Sequence, residues 1–310
     1  MANVYELEPD ERTLHGWYSA EFTPVLTVEP GDTVRFRTLD CWWSAGPFTG
    51  GNFPDRPRVP QYEEGSGHAL TGPVAVRGAR PGRTLAVRID AVVPATWGTT
   101  VAGGWSSPLN DRYGISDAGA VHRWDLDPVA MTGRNQYGHT VALRPFCGVM
   151  GMPPAGPGRH STIPPRRHGG NLDCRELVAG STLYLPVPVE GALFSVGDGH
   201  AAQGDGEVGG TAIECPMDRV DLTFDVRDDL PLTAPAAQTP AGWLTMGLGD
   251  TLDEAAGEAL EGIFTLLQHR YGVSRPDAVA LASVAVDVRV TQVVNQVVGV
   301  HAVLPPGALR

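Results

Sequence analysis

A chain of 310 residues with 42% apolar side chains is long enough to bury a sizeable core, and its formal net charge of −12 works against binding nucleic-acid phosphate or an anionic membrane surface. All 23 basic residues are arginine, so mechanisms that need a lysine nucleophile, Schiff base or general base are excluded. The 39 glycines and 27 prolines follow no short repeat, and β-branched runs lie between them, which favours a mostly β architecture over disorder.

The first residues, MANVYELEPDERTLHG, hold no apolar core of a signal peptide, and no run of 18 apolar residues follows, so the expected location is the cytoplasm. Residues 24–39 read as strand, turn, strand around Pro30-Gly31-Asp32, with Val34, Phe36 and Thr38 alternating with Arg35 and Arg37. The pattern returns at 71–90 around Pro81-Gly82, and two such units suit an antiparallel β-sandwich or jelly roll. Residues 91–145 read as long loops with short strands. Residues 146–173 are too rich in Gly and Pro for regular structure, and a loop of that length inside a domain is usually functional or disordered. Strands resume at 181–189, 192–196 and 219–226. A helix is expected over 252–271, with Leu252, Ala256, Ala259, Ile263, Leu266 and Leu267 on one stripe and Gly272 as its cap. A second helix over 274–284, with Ser274 as N-cap, and strands over 285–294 and near 298–304 complete an α+β tail.

The densest polar stretch is 197–214, GDGHAAQGDGEVGGTAIE, which holds Asp198, His200, Gln203, Asp205, Glu207 and Glu214. Groups at i and i+2 of an extended chain share a side, so Asp198 and His200 can bind one cation together, and Asp205 and Glu207 repeat the spacing. The plain alternative is a solvated Gly/Asp turn. A second cluster at 166–173, RRHGGNLD, holds His168, Asn171 and Asp173, of which imidazole and carboxylate are ordinary zinc ligands. Its plain reading is a glycine turn in which Asn171 and Asp173 cap backbone amides. Zinc-hydrolase HExxH, CxxC pairs, the GxSxG elbow and the P-loop are all absent. Cys41, Cys147, Cys174 and Cys215 are expected as free buried thiols. The remaining nucleophile for hydrolysis is a water activated by a metal or a carboxylate. His15, His122, His139 and His269 are expected outside the site; for His68 and His301, which adjoin well-formed strands, a site role and a plain structural role are nearly balanced. Trp42-Trp43 and Trp105 suit either an apolar pocket or plain core.

Several segments together resemble the acetamidase/formamidase family: TVEPGDTVRFRTLD, HALTGPVAVRGARPGRTLAVRI, GVMGMPPAGP, HGGNLD, GSTLYLPVPVEGALFSVGDGHAAQGDGEVGGTAIE and SVAVDVRVTQVVNQVVGVHAVLP. The resemblance implies a mainly β fold: a jelly-roll-like sandwich part at 1–145, a site-bearing, β-barrel-like part at 146–245 and an α+β portion at 246–310. It implies hydrolysis of a small linear amide to carboxylate and ammonia, some relatives being similar to lactam hydrolases, with a divalent metal, zinc foremost. Carried over residue by residue, it implies metal ligands among His168, Asp173, Asp198 and His200. Glu207, Glu214 and Gln203 become the catalytic candidates, and Asn171, Asp205 and His68 stand behind them or against the substrate. Residues 41–67 and 106–145 depart from the pattern and are positioned to shape the substrate mouth.

Glu207 follows Gly206 in the same stretch as Asp198 and His200, so its longer side chain can reach over an ion as general base; Glu214 is the competitor for that role. The runner-up to hydrolysis is a jelly-roll protein that binds a small molecule and holds a structural cation. A homo-oligomer is expected from the low charge of QVVNQVVGVHAVLP, which a core strand explains equally well.

Overall fold

Period-two alternation and turn-bounded apolar runs yield a mainly β fold, 39% strand and 13% helix, in the computed structural model, which describes residues 2–230 and 232–310. The two Pro-Gly turns do not close hairpins. Leu26–Val28 pairs in parallel with Leu70–Val76, whereas Thr33–Thr38 pairs with Val4–Leu7 and Met217–Arg227. Leu70–Val76 and Thr84–Pro94 are separated in the same way, the first pairing with Phe194–His200 and the second with Met217–Arg227. Each turn therefore carries the chain from one sheet to another. Alternation is the same in a hairpin and in such an arch, so local sequence does not distinguish them.

The larger sheet has nine strands in the order Val4–Leu7, Thr33–Thr38, Met217–Arg227, Thr84–Pro94, Thr182–Pro186, Ala236–Thr239, Gly242–Gly249, Val298–Leu304, Asp287–Gln292. It draws strands from each of the stretches 1–145, 146–245 and 246–310. The six-stranded sheet centres on Phe146–Gly151, Phe194–His200 and Leu70–Val76. Phe36, Val87, Leu222 and Phe224 of the first meet Val74, Met150, Phe194 and Val196 of the second in one apolar core. Phe194 and Phe224 touch edge to face across it at 5.2 Å. Both sheets are open, and no closed barrel forms among the described residues.

Two stretches are more regular than expected. Within 91–145, Trp97–Ala102, Ala120–Asp127, Thr132–Asn135 and Thr140–Ala142 form a four-stranded antiparallel sheet. Within 146–173, Phe146–Gly151 and Gly169–Asn171 are paired, fully buried strands. Glycine permits this pairing instead of breaking it: a Cβ on Gly151 would collide with the backbone nitrogen of Gly170.

The helix Leu252–Tyr271 opens on a capping box between Thr251 and Glu254 and ends at Gly272 with φ 64°. It buries Ala255, Ala259, Ile263 and Leu267; Leu252, at the first position, is exposed instead of joining the stripe. The helix Arg275–Ala285 follows, capped by the Ser274 hydroxyl, which accepts from the Asp277 amide. Leu252–Tyr271 lies directly on the strand Gly242–Gly249, where a Cβ on Gly247 would strike Ala255 O and Ala259 N. Gly247→Ala is therefore expected to destabilise the fold by about 1–3 kcal/mol through overpacking. Chemical denaturation reads this directly, and an unchanged midpoint would mean that the helix is free to lift off the strand.

Candidate functional site

His200 ends the strand Phe194–His200, opposite Phe146, whose ring it meets edge-on at 5.0 Å. Its Nε2 lies 3.3 Å from Asp198 Oδ1 and 3.0 Å from Glu214 Oε2, and its Nδ1 lies 4.0 Å from Asp173 Oδ1. All four side chains are buried. The distances suit charge interaction, yet neither ring nitrogen has a hydrogen bond of acceptable geometry.

Glu214 and Asp173 are each held by one oxygen and left open at the other. Glu214 Oε1 accepts from the Ala212 amide at 2.7 Å, while Oε2 has no hydrogen bond. Asp173 Oδ2 accepts from Asn295 Nδ2, while Oδ1 has none. Glu207 Oε2 is also buried without a partner. Asp173, His200 and Glu207 place ligating atoms within 4.8 Å of one another, and Cys41, Asp198 and Glu214 form a second such group.

Backbone geometry makes room for this crowding. A Cβ on Gly148 would collide with Asp173 Oδ1 and Asp198 Oδ2 and come within 2.8 Å of His200 Cε1, so glycine leaves the cradle open. Asp173, Asp198 and Glu207 have φ of 48°, 56° and 46°, and Trp43 beside them 62°. These four line one cavity of about 240 Å³, and they are half of the eight non-glycine residues with positive φ among those described. Such conformations cost about 1–3 kcal/mol each and persist where the surroundings enforce them, most often at functional sites.

Five of the sequence candidates thus converge: Asp173, Asp198, His200, Glu207 and Glu214. Asn171 and His68 also line the cavity. Asn171 Nδ2 donates to Ile163 O at 3.0 Å, leaving its buried Oδ1 unpaired, and His68 Nδ1 pairs with Thr162 Oγ1 at 2.9 Å. Gln203 stands behind the wall, its Nε2 donating to Asp173 O at 2.8 Å. Asp205 is exposed, so the i, i+2 repeat does not extend to it. His168 joins neither ligand group nor the cavity wall: Gly169 and Gly170, with φ 91° and 99°, turn the chain there, and its Nδ1 pairs with Met152 O at 2.7 Å. His15, His122, His139, His269 and His301 lie outside the cavity. Cys41, Arg56 and Arg58, from the divergent stretch 41–67, also line the cavity, as does Asn295, which is not among the sequence candidates. Asn295 carried a signal, as a polar residue inside the apolar run VVNQVVG.

Burial and the charges of Asp198 and Asp173 govern proton affinities here. Burial and Asp198 raise Asp173 to about 6, and burial raises Glu214 to about 7. Burial, then Asp173, pushes Glu207 well above the usual carboxyl range. Burial works against charge on His200, but Glu214 and Asp198 outweigh it and hold the imidazole well above its ordinary value. Asp198 is lowered: burial opposes its charge, and His200 and His68 overcome that. Burial pushes the Cys147 and Cys174 thiols up to about 12, which disfavours thiolate chemistry at either.

The family model described as "Acetamidase/Formamidase family" matches residues 4–161 and 156–308. The chain is 26% identical to an acetamidase of Mycolicibacterium smegmatis over 310 residues, covering 78% of this chain and 75% of that protein. It is 27% identical to a formamidase of Methylophilus methylotrophus over 264 residues, covering 67% of this chain and 64% of the relative. A crystal structure of an acetamidase from Bacillus halodurans superposes with a TM-score of 0.86 and 29% identity, covering 97% of each chain. Across curated relatives, then, the chain spans from 60% to 75% of their length.

Two outcomes follow from the cluster. His200 and Glu207 have folded proton affinities above their ordinary ones, so the stability they contribute is present at lower pH and lost as pH rises through the folded values. The buried His15 and His168, lowered to about 4 mainly by burial, act with the opposite sign, but only below the ordinary histidine range. Chelator-treated protein is therefore expected to melt several degrees lower at about pH 9 than at about pH 7. A melting temperature that rises over that interval would contradict the described crowding. If the cluster holds a divalent cation, Gly148→Ala is expected to weaken its binding about 10–100-fold, as loss of ligand support does. Titration calorimetry measures it, circular dichroism checks the fold, and unchanged affinity in a folded variant would place the cation elsewhere.

Proposed function

This chain belongs to the acetamidase/formamidase family, and from that premise we propose that it hydrolyses the C–N bond of a linear amide, giving a carboxylate and ammonia, with a divalent cation at the His200 cluster. The observation that carries the reading is the set of buried, unpaired oxygens and imidazole nitrogens facing one cradle at the base of a cavity. Hard oxygen donors with one imidazole fit a divalent cation, zinc included. Asp173 and His200, whose ligating atoms lie close to that of Glu207, would hold it, while Asp198 and Glu214 stand against the other ring nitrogen. A bound cation supplies Lewis acidity toward the amide carbonyl and toward water.

The chain's own groups account for the remaining chemistry. Glu207, inside the cavity and with its proton affinity raised, can take a proton from water and return it to the departing nitrogen. Asn171 Oδ1, an unpaired acceptor on the wall, suits the amide NH2. Asn295 fixes Asp173 from behind, and Gln203 braces its backbone. Glu207 lines the cavity with its Oε2 unpaired, a carboxylate free to act on a bound molecule, which favours catalysis over a purely binding role.

Glu207→Gln is expected to lower kcat by about 10²–10⁴-fold, the usual worth of general acid–base transfer, while metal content stays near that of the parent protein. Ammonia release and elemental analysis on the same preparation check both halves. Normal kcat would move the proton-transfer role to Glu214, and loss of metal would make Glu207 a ligand.

A further inference from the structure

The cavity above the carboxylate cluster shares Trp42, Arg56, Arg58, Gly210 and Thr211 with a larger chamber of about 650 Å³. Arg56 and Arg58 stand where the two spaces meet. Among the described residues neither makes an ion pair with a carboxylate, although other arginines such as Arg35, Arg144 and Arg289 do. Arg56 is fixed in place. Its Nη1 donates to Phe53 O at 3.0 Å, and its guanidinium sits 4.3 Å from the Phe53 ring centre and 5.4 Å from that of Trp42. Arg58 sits 4.6 Å over Tyr62 and makes no side-chain hydrogen bond among the described residues. The Nε of each is buried and unpaired.

Two half-buried guanidinium groups side by side are costly, because each disfavours charge on the other, and the buried Asp40 carboxylate offsets this at Arg56 only in part. Burial first and Arg58 second depress Arg56 accordingly. Simple neutralisation of the acidic cluster does not explain the pair, since ion pairs would serve that purpose and none forms. An anion that arrives with the substrate does explain it, because guanidinium forks bind carboxylate in a planar, bidentate manner. The pair also places two positive charges at the cavity wall of a protein whose overall charge is −12.

We infer that the substrate is an amide that also carries a carboxylate, a monoamide of a dicarboxylic acid, with its carboxylate on Arg58 beside Arg56 and its amide at the His200 cluster. The inference rests on the amide-hydrolase reading for its chemistry and on the arginine pair for its specificity. In the reaction one C–N bond breaks and one C–O bond forms. Water supplies the oxygen and the two protons that leave with the nitrogen, and the products are a dicarboxylate and ammonium.

Binding and turnover test the two parts separately. Succinamate, with malonamate and glutaramate as length variants, is compared with butyramide by calorimetric titration of the intact, metal-loaded protein. At least one monoamide is expected to bind about tenfold or more tightly than butyramide, with an advantage that shrinks as salt rises. Arg58→Gln is expected to remove that advantage and Arg58→Lys to restore only part of it. If no monoamide outbinds butyramide, or if the advantage survives both Arg58→Gln and Arg56→Gln, the inference is overturned. Should Arg58→Gln misfold, the salt dependence of the unaltered protein decides, because an advantage insensitive to salt contradicts a guanidinium–carboxylate contact. Ammonia release is then measured on the same panel. Tight monoamide binding without ammonia overturns the hydrolase reading and leaves the arginine assignment standing, whereas ammonia from neutral amides alone does the reverse.

Discussion

Four carboxylates and one imidazole share a space from which water is largely excluded, and much of the surrounding structure answers to that crowding. Unscreened like charges repel strongly at such separations, so the group exists only with compensating protons or a cation. His200 compensates on one side, drawing Asp198 down and being held charged by Asp198 and Glu214. Asp173, Glu207 and Glu214 answer with raised proton affinities. A cation bound there displaces those protons, which couples metal affinity to pH.

The crowding also dictates backbone. The strand Phe194–His200 is buried along its whole length, and its glycines are pressed against neighbours: a Cβ on Gly199 would lie 2.5 Å from Cys215 O. Gly148 leaves open the space that the carboxylates fill. The left-handed conformations of Asp173, Asp198 and Glu207 aim three acids inward from three different segments.

The C-terminal portion helps to hold this arrangement. Asn295 reaches Asp173, and the Glu207 loop is stitched to the end of the strand Asp287–Gln292 by Gly206 N to Thr291 O at 3.0 Å and Val293 N to Gly206 O at 3.2 Å. Glu176, three residues beyond Asp173, is gripped by both Arg144 and Arg289. The acids of the cluster are therefore braced by chain from 144 to 295.

Local sequence determined the features that depend on near neighbours. The two helices were legible because caps and a period of 3.6 act within a few residues: Thr251 with Glu254, Ser274 with Asp277, Gly272 at the end. Asp198, His200, Glu207 and Glu214 were legible as a group because they fall within one polar, glycine-rich run. Tertiary structure decided whatever depended on distant partners. It turned both Pro-Gly turns into arches between sheets, folded the glycine-rich stretch at 146–173 into buried strands, and left Asp205 in solvent while burying Glu207. It turned His168 onto Met152 O and brought Cys41, Asn295 and the Arg56–Arg58 pair to the cavity from far along the chain. Alternation and spacing specify which face a side chain occupies, but which strand comes to lie beside that face is settled by packing between segments that the chain separates by more than a hundred residues.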